Sequence, residues 1–278
     1  MTGSKLIFDV GMHKGEDTLF YLKKGFRVVG FEADPSLAAS CRQRFATEIA
    51  NGRLRIIEGA IVDCADQDSV AFFRNPVKSV WGTANKEWAE RNDSLSSGSE
   101  RIDVPTVDFA QCLQEIGIPY YLKIDIEGMD QVCLEALHGF EVKPQYVSVE
   151  SEKVDFTKLL DELSLLKDLG YAQFMAVQQK GVSRVGEPDP VREGHRTGHR
   201  FEEGSSGLFG ADLPEDQWCD YPDIVNRYVD IFAAYRLIGD AGILTRNAIS
   251  NRGVRLLQRL LNRPIPGWYD THARLNSP

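Results

Sequence analysis

The sequence predicts a doubly wound α/β fold with a mostly parallel sheet, and three observations lead to this prediction. Short apolar runs alternate with stretches of helical periodicity from residue 5 to residue 178. The first run is followed by a glycine turn, a helix and a second run that ends in Glu32, as in a nucleotide-binding βαβ unit. The run Gln145–Glu150 is almost continuously apolar, which is typical of a strand buried inside a parallel sheet.

Each element is predicted from a local signal. Clusters of apolar residues predict strands, and apolar residues at helical spacing predict helices that end at glycines. Asp108 and Asp155 are predicted to cap the helices that follow them. The predicted strands are Lys5–Val10, Val28–Glu32, Arg53–Glu58, Ser69–Arg74, Tyr120–Ile126, Gln145–Glu150 and Tyr171–Gln178. The predicted helices are Glu16–Lys24, Ser36–Ala50, Asp108–Ile116, Met129–Leu137, Asp155–Leu169, Asp223–Leu237 and Asn251–Leu261.

Composition divides the chain into three predicted parts. Residues 1–180 hold the alternating strands and helices and are predicted to form the ligand-binding core. Residues 181–220 lack periodicity and are rich in Gly, Pro, Arg and His, so they are predicted to form a substrate loop or lid that completes the sheet. Residues 221–278 are predicted to form a helical extension packed on the core.

Charge and composition exclude several functional classes. The 278 residues carry a formal net charge of −9, which argues against nucleic acid as a partner because phosphate binding requires a basic face. No segment has the length and apolarity of a signal peptide or a membrane span. The five cysteines are scattered without C-x-x-C spacing, so neither structural zinc nor a disulfide framework is expected, and a cytoplasmic location is predicted.

The first turn narrows the choice of ligand. A dinucleotide site has the pattern G-x-G-x-x-G, whereas this chain has D-x-G-x-x-x-G and a helix that begins with Glu16 and Asp17. Two carboxylates would repel a diphosphate, but they suit a cationic adenosine compound without phosphate, such as S-adenosylmethionine. The alternative is that both acids only complement the helix dipole.

Two motifs resemble one enzyme family. FDVGMHKGEDT at residues 8–18 and LKIDIEGMD at residues 122–130 are similar to the motifs of FkbM-type S-adenosylmethionine-dependent methyltransferases. Members typically show a D-V-G-x-N-x-G-like turn and an L-K-I-D-V-E-G-x-E segment, and His13 stands where the family usually has Asn. The resemblance covers residues 5–180. It implies a class I, Rossmann-like fold with a seven-stranded sheet, and O-methylation of a sugar, glycolipid or polyketide-like hydroxyl.

The resemblance also implies a donor site in the first βαβ unit. Gly11 and Gly15 would form the turn at the methionine end of the donor, Glu32 would hold the ribose, and Ala60 would lie beside the adenine. The implied donor-binding residues are Asp9, Gly11, His13, Gly15, Thr18, Glu32 and Ala60.

The second motif supplies the candidate catalytic acids. Asp125 and Glu127 follow a predicted strand and share one side of it, so either is predicted to orient or deprotonate an acceptor hydroxyl. The alternative is that Asp125 caps the next helix and Glu127 binds backbone amides. Together with Glu150 the two acids form a possible but not favoured Mg²⁺ site, and no metal ligand is assigned.

The acceptor site is predicted less directly. Trp81 and Thr83 are candidates for lining the acceptor pocket, because an aromatic face suits a sugar ring. His195 and His199 lie four residues apart in the segment 181–220 and are further candidates, with solvated loop histidines as the alternative. A basic amphipathic helix near residues 251–263 suits either contact with an anionic membrane or packing on the protein, and the oligomeric state stays open.

Two competing functions remain open from the sequence. A nucleotide-dependent oxidoreductase would use the same βαβ unit, although the third glycine of its fingerprint is missing. A non-catalytic module would bind S-adenosylmethionine without transferring the methyl group.

Overall fold

The computed structural model describes residues 6–63, 67–75, 82–85, 99–152, 155–238 and 268–276. Its strands are β1 (Leu6–Val10), β2 (Arg27–Glu32), β3 (Leu54–Glu58), β4 (Ala60–Ile61), β5 (Ser69–Arg74), β6 (Glu100–Val107), β7 (Tyr121–Ile124), β8 (Tyr146–Glu150), β9 (Gln173–Gln178) and β10 (Tyr269–Arg274). Its helices are α1 (Glu16–Lys23), α2 (Pro35–Arg44), α3 (Ala46–Ala50), α4 (Phe109–Ile116), α5 (Asp130–Ala136), α6 (Phe156–Asp168) and α7 (Tyr221–Ile238).

One seven-stranded sheet carries the order β3-β2-β1-β7-β8-β10-β9. β1 pairs in parallel with β2 and β7, β2 with β3, and β7 with β8, whereas β10 runs antiparallel to β9. The predicted doubly wound, mostly parallel fold is confirmed. Because the chain moves outward from β1 through β3 and then returns to β7 on the other side of β1, the strand order reverses between β1 and β7. Ligands bind at the carboxyl ends of strands at such a switch point.

Local sequence explains the central elements. All five residues of β1 and all four of β7 are buried, as expected for strands with neighbours on both sides. The predicted caps are confirmed: the Asp108 side chain accepts a hydrogen bond from the Gln111 backbone N–H, and Asp155 accepts one from Thr157. Each cap satisfies a backbone donor that the helix itself leaves unpaired.

A smaller sheet has the order β4-β6-β5, with β4 parallel and β5 antiparallel to β6. Its core contains Ala60, Phe72 and Val104. β5 was predicted as an edge strand or hairpin arm, and β6 was not predicted. Pro105 lies within β6 and weakens the strand signal, since proline cannot donate to a ladder.

The chain forms two compact units whose boundaries differ from those expected at residues 180 and 220. The first unit comprises residues 1–149, 186–199 and 208–213. The second comprises residues 150–185, 200–207 and 214–278. The segment expected to complete the sheet forms short 3₁₀ turns in residues 182–184, 210–212 and 215–217, and its Cys219 makes a single β-bridge with Phe174 of β9. The missing strand is β10, which comes from the predicted helical extension.

Membrane contact was one of the expectations from the sequence. None of the helices in the described ranges has the length and apolarity needed to cross a bilayer. The basic amphipathic helix predicted at Asn251–Leu261, within residues 251–263, lies outside the described residues.

Candidate functional site

The turn between β1 and α1 requires glycine at two positions. Gly11 has φ 80°, and a Cβ there would lie 1.9 Å from the Asp125 backbone oxygen. Gly15 has φ 78°, and a Cβ there would lie 2.4 Å from the Phe45 ring. Both positions are in the left-handed region that side chains disfavour. Gly11 therefore lets the turn lie directly against the loop that follows β7, and Gly15 lets it lie against Phe45 at the end of α2.

Asp9 lies at the floor of this turn and is fully buried. Its Oδ2 accepts a 2.5 Å hydrogen bond from Thr18 Oγ1, and its Oδ1 lies 3.4 Å from Lys123 Nζ. Burial raises the pKa of Asp9, while Lys123 and Thr18 act in the opposite direction. Thr18 was predicted to bind the donor, and the structure places its hydroxyl on Asp9.

Glu32 ends β2, and its carboxylate connects the glycine turn at His13 with the start of α2 at Asp34. Its carboxylate accepts hydrogen bonds from the backbone N–H of His13 at 2.8 Å and of Asp34 at 2.9 Å. Burial raises the pKa of Glu32 to about 7, against the lowering effect of these two bonds. A carboxylate oxygen has more than one acceptor site, so this arrangement still allows hydrogen bonds from a diol.

His13 has a left-handed backbone with φ 52°. Its Nδ1 lies 3.5 Å from Glu16 Oε1, and its carbonyl accepts a hydrogen bond from Cys41 Sγ. Asn, the residue that the family resemblance implies at this position, tolerates the left-handed region well. The turn therefore imposes the backbone conformation at residue 13, and His13 adopts it with a different side chain.

The loop after β7 holds Glu127 in a second left-handed position, with φ 47°. The Asp130 carboxylate accepts hydrogen bonds from the backbone N–H groups of Ile126 and Gly128, on either side of Glu127. Thr83 Oγ1 donates a 2.7 Å hydrogen bond to the Glu127 carbonyl. Strained backbone of this kind persists only where surrounding contacts hold it, and it clusters at functional sites.

Asp125 stands where β7 leaves the sheet. Its backbone N–H donates to the Val10 carbonyl at 3.0 Å, which joins the ends of β1 and β7. Its Oδ2 lies 3.5 Å from Lys123 Nζ, and its side chain is 41% exposed. Asp9 and Asp125 thus approach the same buried lysine, Asp9 from the protein interior and Asp125 from the solvent-exposed side.

The structure places the predicted acceptor residues that it describes in two different regions. Trp81 lies outside the described residues, and Thr83 is buried as a partner of the Glu127 backbone. The His195 ring packs against Gly25, and His199 Nδ1 lies 3.5 Å from Lys23 Nζ. Lys23 ends α1 and Gly25 follows it, so both histidines lie at the amino edge of the sheet, opposite the turn.

Ala60 was predicted to lie beside the adenine. The structure places it in β4, where it is 4% exposed and packs in the core of the smaller sheet. Ala33, which follows Glu32, packs against the same core. Ala60 and Ala33 therefore belong to one apolar cluster.

Sequence reasoning missed a buried ionic cluster around Lys24. Lys24 Nζ lies 2.5 Å from Asp212 Oδ2 and 3.0 Å from Glu187 Oε1, and it donates to the Glu193 carbonyl at 2.9 Å. The Lys24 side chain is fully buried. This cluster ties the segments 186–199 and 208–213 to the end of α1, at the edge of the sheet opposite the turn.

Metal binding was considered for Asp125, Glu127 and Glu150. Across the ranges that the structure describes, no group of three or more His, Cys, Asp or Glu side chains is arranged to hold a metal ion. A Mg²⁺ requirement is tested by measuring turnover with and without a chelator.

The residues of the turn fit a cationic adenosine ligand. Glu32 supplies acceptors for a diol, and Asp9, Glu16 and Asp17 supply negative charge beside the glycine turn. A diphosphate would be repelled by Asp9, Glu16 and Asp17. The first turn of α1 offers it no basic side chain, because Glu16 and Asp17 occupy that turn.

Comparisons with known proteins agree with this chemistry. A family model described as the methyltransferase FkbM domain matches residues 9–172, more than half of the chain. A search of curated proteins found no match.

Three solved structures illustrate what the chain is similar to. A precorrin-6Y C5,15-methyltransferase from Geobacter metallireducens shares 12% identity over 70% of this chain and 76% of its own, with a TM-score of 0.36. A SAM-dependent methyltransferase from Archaeoglobus fulgidus shares 9% identity over 98% and 87%, with a TM-score of 0.39. The StiE O-MT, residues 942–1257, shares 11% identity over 98% and 69%, with a TM-score of 0.39.

The family match contains both motifs that meet at the switch point. It begins at Asp9 in the glycine turn and includes the loop that carries Asp125 and Glu127. The chain therefore belongs to the FkbM methyltransferase family and is an S-adenosylmethionine-dependent methyltransferase.

Proposed function

We propose that the enzyme methylates a hydroxyl group on a sugar, glycolipid or natural-product acceptor. The observation that carries this proposal is the contact between the glycine turn and the loop after β7, where a Cβ on Gly11 would lie 1.9 Å from the Asp125 backbone oxygen. An acid therefore stands next to the turn that would hold the methionine end of the donor. The Asp125 side chain is 41% exposed, so a second substrate can reach it.

Each residue of the turn has a role in donor binding under this proposal. Gly11 and Gly15 form the turn at the methionine end, Asp9 faces the positive charge of the donor, and Glu32 accepts hydrogen bonds from the ribose. The bound donor supplies an electrophilic methyl carbon, which the acceptor oxygen takes as the carbon–sulfur bond breaks.

The acids of the second loop act on the acceptor. An alcohol is a weak nucleophile, so removing its proton as the new bond forms lowers the barrier. Asp125 or Glu127 accepts this proton and holds the oxygen in line with the methyl group. The hydrogen bonds of Asp130 to Ile126 and Gly128 keep the loop in place while this happens.

Asp125→Asn and Glu127→Gln test this assignment directly. We expect turnover of a radiolabelled donor with a panel of hydroxylated acceptors to fall about 100-fold or more in at least one variant, the usual contribution of a general base. S-adenosylhomocysteine affinity, measured by calorimetry, should stay unchanged in both. Glu135→Gln, an exposed acid on α5, is the matched control and should behave as the wild type.

Two outcomes would contradict the proposal. If both variants keep full turnover and donor affinity, neither acid is the base. If the wild type binds S-adenosylhomocysteine but methylates no hydroxylated acceptor, the hydroxyl assignment fails and a non-catalytic module becomes the better description. Titration with NAD is the control for the oxidoreductase alternative and should give no heat.

Metal dependence has its own prediction. Lys123 Nζ lies 3.5 Å from Asp125 Oδ2, and this ammonium competes with a divalent cation for the same carboxylate. We therefore expect turnover to be unchanged after dialysis against a chelator and after addition of Mg²⁺. Loss of turnover with the chelator and its recovery with Mg²⁺ would instead assign Asp125 to a metal site.

A further inference from the structure

Lys123 is a buried lysine between the two motifs, and no role was assigned to it from the sequence. Its side chain is 5% exposed. Its Nζ donates a 2.9 Å hydrogen bond to the Gly11 carbonyl and lies 3.4 Å from Asp9 Oδ1 and 3.5 Å from Asp125 Oδ2. One ammonium group therefore contacts the glycine turn, the acid beneath it and the acid of the second loop.

The sheet explains how one residue reaches all three groups. Lys123 is the direct neighbour of Asp9 in the parallel pairing of β7 with β1. Asp125 directly follows β7, two residues beyond Lys123, and its Oδ2 lies 3.5 Å from Lys123 Nζ. The lysine stem runs toward the carboxyl edge, and its charge lies where the two strands end.

The charge balance requires such a cation. Asp9 is fully buried and Asp125 stands close to the same point, so two carboxylates would repel each other across a medium that screens charge poorly. A lysine between them offsets this repulsion, and its three donors can be shared among a carbonyl and two carboxylates. One net negative charge is left among the three groups, which suits a cationic donor.

We propose that Lys123 is a positioning residue for methyl transfer, whose ammonium holds the Gly11 carbonyl of the donor turn and the carboxylates of Asp9 and Asp125 in one array. The donor side and the acceptor side of the site are thereby built on the same cation. The inference rests on the proposed function for the roles of the turn and of Asp125.

Lys123→Met is the main test, because methionine keeps the length of the stem and removes the charge and the donors. We expect affinity for S-adenosylhomocysteine, measured by calorimetry, to fall about tenfold or more, the usual effect of losing a hydrogen bond from a charged group. Turnover at saturating donor should fall as well, because Asp125 loses its partner. Lys123→Arg keeps a cation and donors and should lose less affinity than Lys123→Met.

Lys24→Met is the matched control. Lys24 is also a buried lysine held by carboxylates in the same unit, but it lies at the opposite edge of the sheet. Its loss should lower thermal stability without changing donor affinity below the unfolding midpoint. If Lys123→Met binds S-adenosylhomocysteine as well as Lys24→Met does, Lys123 has only a structural role and the proposal is overturned.

NMR of the wild-type protein provides a measurement that does not depend on whether Lys123→Met folds. In protein labelled with ¹⁵N-lysine, S-adenosylhomocysteine should shift the ammonium signal that disappears in Lys123→Arg and leave the Lys24 signal in place. An unchanged Lys123 signal at saturation would overturn the proposal. Because these binding measurements need no acceptor, they remain valid even if the hydroxyl-acceptor proposal fails.

Discussion

Two residues with left-handed backbone mark the two halves of the site. His13 has φ 52° in the donor turn, and Glu127 has φ 47° in the loop after β7. Neither is glycine, and a left-handed L-residue costs roughly 1–2 kcal/mol. The hydrogen bonds from His13 to Glu32 and from Thr83 to Glu127 hold these positions against that cost. Strain at both places indicates that backbone geometry is part of the function.

Glu127→Gly is expected to separate stability from activity. Glycine adopts the left-handed conformation without a steric penalty, so the free energy of unfolding should be unchanged or rise by up to about 1 kcal/mol. Turnover should fall, because the carboxylate is lost. Glu135→Gly on α5 is the control, and it should lower the unfolding free energy by about 1 kcal/mol, as glycine does inside a helix. A clear loss of stability in Glu127→Gly would show that its backbone is not strained.

Glu32 makes donor binding sensitive to pH. Burial raises its pKa to about 7, and only the ionised carboxylate is a pure acceptor for a ribose diol. Between pH 8 and pH 6 a single group with this pKa changes from mostly ionised to mostly protonated, so affinity for S-adenosylhomocysteine should fall about tenfold. Calorimetry at the two pH values measures this difference.

Glu32→Gln is the control for that prediction. The amide does not titrate, so affinity should be lower at pH 8 and the pH dependence should shrink. An unaltered pH dependence in Glu32→Gln would remove Glu32 from donor binding.

At the level of single residues, sequence located the motifs but not the partners of their side chains. Asp9, Gly11, Glu32 and Asp125 were identified from spacing, and the structure brings them to one edge of the sheet. The contacts of Lys123 and Asp130 were not predictable, because they depend on which strand becomes the neighbour of β1 and on how the loop after β7 folds.

At the level of elements, β10 and α7 are joined by a ring of buried hydroxyls. Ser151 Oγ lies 2.6 Å from Tyr228 OH and 2.8 Å from Thr271 Oγ1, and the latter two oxygens are 2.7 Å apart. Each hydroxyl can donate to one neighbour and accept from the other, so the ring satisfies all three groups without water.

Variants of this ring should show coupling. We expect Tyr228→Phe and Thr271→Val each to lower the free energy of unfolding by about 1–2 kcal/mol, because each leaves a buried hydroxyl with one partner fewer. The double variant should cost less than the sum, since both changes remove the same hydrogen bond. Denaturant unfolding of the four proteins measures the coupling, and strict additivity would contradict a shared ring.

The strand that the sequence did not predict is one whose polar residues are buried. β10 reads YDTHAR and looks like a surface segment, yet Asp270, Thr271 and His272 are buried within it. Helices α4 and α6 were predicted well, because their caps and apolar spacing are local signals. A strand filled with polar residues becomes recognisable only when its neighbours are known.

At the level of the whole molecule, the Lys24 cluster joins residues that are far apart in sequence. Its ion pair with Asp212 spans 188 residues. We expect Lys24→Met to lower the free energy of unfolding by about 3 kcal/mol or more, because Glu187 and Asp212 would stay buried without their cation. Lys158→Met, at an exposed position on α6, should change it by less than about 0.5 kcal/mol. Equal effects in thermal unfolding would show that the cluster contributes little.

The same ion pair sets an order of events during synthesis. The ribosome releases Lys24 and the entire donor motif early, but Asp212 emerges 188 residues later. Until then the growing chain holds Lys24 without its Asp212 partner, and burying an unpaired ammonium group is costly. The end of α1 can therefore reach its final packing only after residue 212 has been translated, although the donor motif is made much earlier.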